Sequence, residues 1–446
     1  MDKAFVTEED VRYGQELAEF IQGSPSPFHT VRQIRERLER AGFAFLPEHH
    51  DWSVRPGGRY YTTRNGSSII AFVVGEEIDE LRFQMTASHS DSPALKLKAR
   101  AGIDGPGPYG RANVEVYGGA IDRSWLDRPL SLAGRVMVSD GGRIESRLLD
   151  LHSDVLLVPS LAIHLDRNVN SNGAIDRAKD LYPLYTSGAH GVRTIDELVA
   201  EAVGATCEQV LSSDIYVVNR QRPSIWGAGE EFISAPRLDD LQCAYSSLVA
   251  FLDVHNERSV SVYACFDNEE VGSGTMQGAC STFLRDVLVR ASGCLGYDRE
   301  AYRRAIASSM LISCDNAHAV HPNHPELYDE CNRAWLNGGV VIKETASQRY
   351  VTEAYSRAFF LEICKRAGVP TQSFANRSDM PGGSTLGNLL TRSVSLHGVD
   401  VGLPQLAMHS AYETAGVCDT AYLVRALRAF YDADYAIGDD ESILFR

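Results

Sequence analysis

Glu269 and Glu270 stand side by side in the stretch Ser-Val-Tyr-Ala-Cys-Phe-Asp-Asn-Glu-Glu-Val-Gly-Ser, residues 261–273. Adjacent carboxylates can divide labour, one holding a metal cation while the other moves protons. More acids and histidines recur where an apolar run stops or a Gly/Pro turn begins. They are His89 with Asp91, Asp239 with Asp240, Asp315 with His318 and His321, and finally His409. Imidazole nitrogens with several carboxylate oxygens suit Zn²⁺, Mn²⁺ or Co²⁺. The number of carboxylates also supplies enough negative charge for two divalent ions a few ångströms apart, which activates water for hydrolysis. Singly, each residue has an ordinary structural use. Glu269-Glu270 reads as a solvated acidic turn, His89 as a hydrogen-bonded loop group, Asp239 as a helix N-cap and His409 as a packed histidine. Their shared placement at strand ends is what those ordinary uses do not supply.

The elements that must position them follow from hydrophobic periodicity. Val260–Phe266 is an apolar run with β-branched and aromatic residues and predicts a strand ending at the acids. Residues 81–88 predict a second strand, ending at His89, and 310–314 a third, ending at Asp315. The ends of strands in open α/β sheets are where ligands bind. Two amphipathic helices lead the chain. The first is capped by Thr7 and carries Val11, Gly14, Leu17 and Ile21 on one face, and Ser24-Pro25-Ser26-Pro27 separates it from the second. Asn65-Gly66 predicts a hairpin turn between strands at 60–63 and 67–74. The Gly/Pro-rich run 102–110 reads as a loop opening a β-rich stretch, with strands at 114–117, 130–138, 143–149 and 215–218 and one helix at 194–203. From residue 232 onward strands and helices alternate. The expected fold is α/β: a mixed sheet covered by helices on both faces, built from 1–99 and 232–446, with a β-rich domain inserted at 100–231.

Composition excludes several function classes. The net charge of −16 argues against nucleic acid or an anionic membrane surface as a partner. No apolar run approaches the ~18 residues of a membrane span. The first ten residues lack the basic-then-apolar pattern of a signal peptide. Nine cysteines, scattered with no Cys-x-x-Cys, read as reduced thiols, so a cytoplasmic location is expected.

The ordered set of motifs resembles the aspartyl aminopeptidase family, dinuclear zinc metallopeptidases that include vacuolar aminopeptidase I. The segments that carry the resemblance are Ser24-Pro-Ser-Pro-Phe-His29, Ala87-Ser-His-Ser-Asp-Ser-Pro93, Tyr117-Gly-Gly119 and Leu161-Ala-Ile-His-Leu-Asp-Arg-Asn168. Ala235-Pro-Arg-Leu-Asp239, Asp267-Asn-Glu-Glu-Val-Gly-Ser273, Ala317-His-Ala-Val-His-Pro-Asn323, Gln348-Arg-Tyr350 and Gln405-Leu-Ala-Met-His-Ser410 complete it. The resemblance implies a zinc-peptidase fold and two divalent ions, Zn²⁺ foremost with Co²⁺ or Mn²⁺ as alternatives. It implies Asp239 as bridging ligand, His89 and Asp315 on one ion, Glu270 and His409 on the other, Glu269 as general base and Asp91 orienting His89. It further implies His318 as an oxyanion partner, Lys343 as the cation for an acidic first side chain, and His164 as a residue lent to a neighbouring subunit. The inserted domain would then serve dimerisation, within a dodecamer built from dimers. Two positions depart from the family pattern: Asp240 stands where Asn is usual, and Asn316 where Met is usual. The activity implied is release of N-terminal residues from peptides, favouring Asp and Glu. A preference for neutral first residues and a dinuclear deacylase are the alternatives.

Overall fold

The computed structural model describes residues 6–380, 382–439 and 442–446. Its centre is a nine-stranded sheet in the order Ala44–Phe45, Arg59–Arg64, Ser68–Val74, Val260–Phe266, Phe83–His89, Met310–Cys314, His397–Gly402, Val340–Lys343, Thr371–Phe374. Four central strands, from Val260–Phe266 to His397–Gly402, are parallel. Ser68–Val74 and Val340–Lys343 run antiparallel against the two sides of this group, so the sheet is mixed.

The alternation of side chains explains why both faces are covered. Val262, Ala264 and Phe266 point into one core with Phe83, Met85 and Leu311. Helices Phe283–Cys294, Arg299–Ala307 and Leu386–Leu390 close that side through Leu284, Leu288, Ile306 and Leu390. Tyr263, Cys265, Met310 and Ile312 point into the opposite core. There Leu238–Leu252, Val417–Asp432, Glu8–Gln22 and Ala354–Arg366 pack, with Phe251 stacked on Tyr263 at 5.8 Å between ring centres. Thr7 and Asp10 form a reciprocal capping box at the start of Glu8–Gln22.

A second sheet has a core of its own. Its six strands are all antiparallel, in the order Arg143–Asp150, Leu130–Asp140, Val210–Asn219, Ala94–Asp104, Gly110–Tyr117, Leu184–Thr186. It opens at Ala94, inside the segment 1–99 assigned above to the first unit. Leu95 and Leu97 face the core while Lys96 turns outward to Asp214 at 2.9 Å. The first strand, Ala94–Asp104, pairs directly with the last, Val210–Asn219, so the segment leaves and returns side by side. A five-stranded sheet, Ser224–Trp226, Phe232–Ala235, Glu413–Gly416, Pro404–Leu406, Ala317–His318, joins the return segment to the first unit. Two elements carry no clear sequence signal. Helix Arg299–Ala307 has charged residues at four of its nine positions, and hairpin Tyr435–Asp439 with Ser442–Phe445 follows the closing helix.

Candidate metal centre

The parallel strands deliver their C-terminal ends to one place. His89 is the last residue of Phe83–His89, and Asp315 follows Met310–Cys314 directly. Glu269 and Glu270 lie one turn beyond Val260–Phe266, and His409 follows the loop after Pro404–Leu406. Asp239 and Asp240 come from the opening of Leu238–Leu252. Two groups of ligand atoms result, each within 4.8 Å of one another: His89, Asp239, Asp240 and Asp315, and separately Asp239, Glu270 and His409. Asp239 is shared. Its Oδ1 faces His89 Nε2 at 3.4 Å and its Oδ2 faces His409 Nε2 at 3.5 Å, while Glu270 Oε2 is 3.3 Å from the same His409 nitrogen.

The donor set fits divalent cations. Buried carboxylate oxygens usually find a hydrogen-bond donor. Asp239 Oδ1, Asp240 Oδ1 and Glu270 Oε1 have none among the described residues. The electrostatics agree. Burial pushes the Glu269 carboxyl up to about 8, with Asp315, Asp91 and Asp239 adding to it against His89. Glu270 and Asp315 are raised by burial and by neighbouring acids. Burial opposes the charge on His409, and Asp239 and Glu270 overcome it, lifting its pKa to about 10. His89 is likewise held well above the usual range, against its burial, by Asp240, Asp239 and Asp91. Asp239, faced by both histidines, stays below the usual carboxylate range despite burial. So many buried acids repel one another, and a cation between them relieves the repulsion.

Supporting groups fix the donors. The Asp91 carboxylate accepts Glu269 N–H at 3.1 Å, Glu270 N–H at 3.2 Å and Tyr117 O–H at 2.7 Å. His89 Nδ1 lies 3.0 Å from the backbone oxygen of Asp91 and 3.4 Å from its carboxylate, so Asp91 holds both the histidine and the glutamates. Ser92 Oγ donates to Asp239 O at 2.7 Å. Glu413 was not singled out from the sequence. It accepts the backbone N–H of Asp239 at 3.1 Å and of His409 at 2.7 Å, spanning two donor segments with one carboxylate. Asn316 Nδ2 donates to Leu238 O at 3.2 Å and Gln405 Oε1 at 2.7 Å. Asp240 Oδ2 accepts His89 N–H at 3.1 Å. Both departures from the family pattern are thus built into the hydrogen-bonding around the centre. Arg237, Asn268 and His409 adopt left-handed backbone angles (φ 60°, 65° and 68°), each costing about 1–2 kcal/mol for an L-residue. Gly118 comes close enough that a Cβ there would stand 3.1 Å from Glu270 Cβ.

The three residues expected to contact substrate also lie outside the two groups. Lys343 is buried, and its Nζ donates to the backbone oxygens of Asp315 at 2.7 Å and Asn316 at 3.1 Å, with Asp315 Oδ1 at 3.7 Å. His318 sits on the short strand Ala317–His318, exposed, with its ring 6.1 Å from that of Phe374. His164 lies in an exposed loop among Leu161, Ile163 and Leu165.

Comparison with known proteins agrees with this frame. The family profile described as "Aminopeptidase I zinc metalloprotease (M18)" matches residues 20–431. The probable M18 family aminopeptidase 2 of Clostridium acetobutylicum is 38% identical over 429 residues, covering 95% of this chain and 99% of the relative. Among solved structures, the chain resolved in a cryo-EM structure of the Ape4 and Nbr1 complex superposes with a TM-score of 0.92 at 34% identity, over 95% of this chain and 86% of that one. The S. cerevisiae mApe1 dodecamer gives 0.80 at 27% identity, over 94% and 96% of the two chains. With strand-end acids and histidines gathered as described, and this likeness along almost its whole length, the chain belongs to the M18 family of aminopeptidases, hydrolases of the zinc metalloprotease type.

Proposed function

We propose that the chain is a two-metal aminopeptidase releasing the N-terminal residue of peptides, with acidic first residues preferred. The observation that carries the two-ion reading is Asp239: it is the one residue common to both donor groups, and its two oxygens face different histidines. His89 and Asp315 would hold one ion, Glu270 and His409 the other, with Zn²⁺ first in order and Co²⁺ or Mn²⁺ as alternatives. Such ions supply Lewis acidity toward water and the scissile carbonyl.

The protein's own groups account for the remaining chemistry. Glu269 neighbours the donors without belonging to either group, so its carboxylate is the general base. It takes a proton from the attacking water and returns it to the leaving amine. Asp91 positions Glu269 through its backbone N–H. His318 is the oxyanion partner. Lys343, a buried ammonium beside Asp315, supports a preference for an acidic side chain. The alternative of a neutral first residue draws on the two backbone carbonyls that already engage that ammonium.

The inserted β-rich segment, expected at 100–231 and carrying most of the six-stranded sheet, is the self-association unit in this reading. The support is the loop around His164, where Leu161, Ile163 and Leu165 are 64%, 48% and 78% exposed. Apolar side chains clustered on a surface mark an interface, and the yeast relative described above is a dodecamer. The family and the reduced thiols accord with a cytoplasmic enzyme. The deciding experiment is a kinetic panel of aminoacyl substrates, acidic and neutral, with Zn²⁺, Co²⁺ or Mn²⁺ added. Fastest turnover of Asp and Glu substrates, with two ions per chain by metal analysis, is expected. Hydrolysis confined to N-blocked substrates, or one ion per chain, would overturn the reading.

A further inference from the structure

A cavity of about 430 Å³ lies away from the metal centre, where the two leading helices meet the second sheet. Its walls carry Arg32, Arg220, Arg222 and Arg237, a concentration of positive charge in a chain whose net charge is −16. Asp150 is the carboxylate on the same walls. It is already shared between Arg220 at 3.0 Å and His152 at 3.1 Å. Arg32 has Glu36 at 3.7 Å on its own helix. Among the described residues no carboxylate lies within 4.0 Å of Arg222 or Arg237. Arg237 is nevertheless fixed in place, since its Nε donates to Ser24 O at 3.1 Å and its Nη2 to Ile21 O at 3.2 Å. Backbone carbonyls hold that guanidinium without neutralising it.

Four arginines around one cavity repel one another unless an anion joins them. A carboxylate brings one charge and two oxygens. A phosphate brings about two charges and three or four oxygens, which match planar guanidinium forks approaching from several sides. His29, buried on the same wall with Nδ1 2.8 Å from Ser26 Oγ, reports the local field: burial, then Arg32 and Arg237, lower its pKa to about 4. We propose that this cavity is a binding site for a phosphate-type oxyanion, either inorganic phosphate or pyrophosphate. The volume exceeds that of a single phosphate group and favours the larger anion. Arg237 lies two residues before Asp239, so a bound anion rests against the back of the segment that carries the bridging carboxylate.

Calorimetric titration of the metal-loaded protein with inorganic phosphate and, separately, with pyrophosphate tests the site. One anion per chain is expected at this cavity, bound about tenfold more weakly by Arg222→Gln through loss of a charge-assisted contact. The double variant Arg220→Gln/Arg222→Gln should lose this binding, with aminopeptidase turnover in anion-free buffer unchanged. Binding of phosphate directly to the metal centre would persist in both variants and is thereby separated. Unchanged affinity and stoichiometry in Arg222→Gln and the double variant would overturn the proposal, as would the absence of binding by either anion at millimolar concentration. Arg222 is exposed, so its replacement leaves the fold intact.

Discussion

At the scale of single residues, the two glutamates that adjoin in sequence part company in space. Glu270 faces His409, while Glu269 stands outside both donor groups. Glu269→Gln keeps the shape and removes the base. Turnover should fall by about 10²–10⁴-fold, the usual weight of a positioned acid–base group, with metal content unchanged by elemental analysis. A second outcome concerns protons. In the metal-free protein at pH 7, Glu269 (about 8) and His409 (about 10) hold protons, and burial with neighbouring acids shifts the Glu270 and Asp315 carboxyls in the same direction. A cation must displace these protons, so uptake releases them and affinity rises with pH, most steeply below about 8. Zinc titrations in buffers of different ionisation enthalpy, at pH 6 and pH 8, measure the release; affinity independent of pH would contradict it. The residues of the two groups stood out in the sequence because each lies where an apolar run stops or a turn begins. Glu413 did not, because it acts by accepting the backbone N–H groups of residues 174 and 4 positions away, which no periodicity records.

At the scale of elements, close contact between backbones sets the site more than any helix does. A Cβ at Gly402, on strand His397–Gly402, would stand 2.0 Å from the backbone oxygen of Asp315. Gly402→Ala must therefore move Asp315 or the strand, at a cost of about 1–3 kcal/mol in stability. It should lower both the melting temperature and the metal content; a variant with full metal content would place Asp315 outside the donor set. Two of the central strands were readable because they are short and almost continuously apolar, as buried parallel strands are. Val260–Phe266 and Met310–Cys314 begin and end where their composition places them. Strand Ala94–Asp104 went unread because its alternation, Leu95-Lys96-Leu97-Lys98, adjoins a glycine- and proline-rich run. That run is a hairpin turn between paired strands, and Gly102 itself pairs with Ala112. Helix Arg299–Ala307 hides for the opposite reason, since only its Ala305 and Ile306 are fully buried.

At the scale of the whole molecule, the α/β frame with helices on both faces follows from the alternation of strands and helices after residue 232, whereas the proposed self-association involves a surface loop. Leu165 is 78% exposed beside His164. Leu165→Asp should shift the protein to smaller species in size-exclusion chromatography with light scattering. Activity should fall with it if His164 serves a neighbouring copy. An unchanged assembly would remove this loop from the interface. The second sheet has one further consequence, because its first and last strands are hydrogen-bonded neighbours. A gene that joined residue 92 to residue 221 through a short turn would have to bridge about one interstrand spacing, roughly 5 Å. Residues 94–219 are therefore a cassette with a single splice point, which recombination can exchange or lengthen without re-threading the sheet that carries the chemistry.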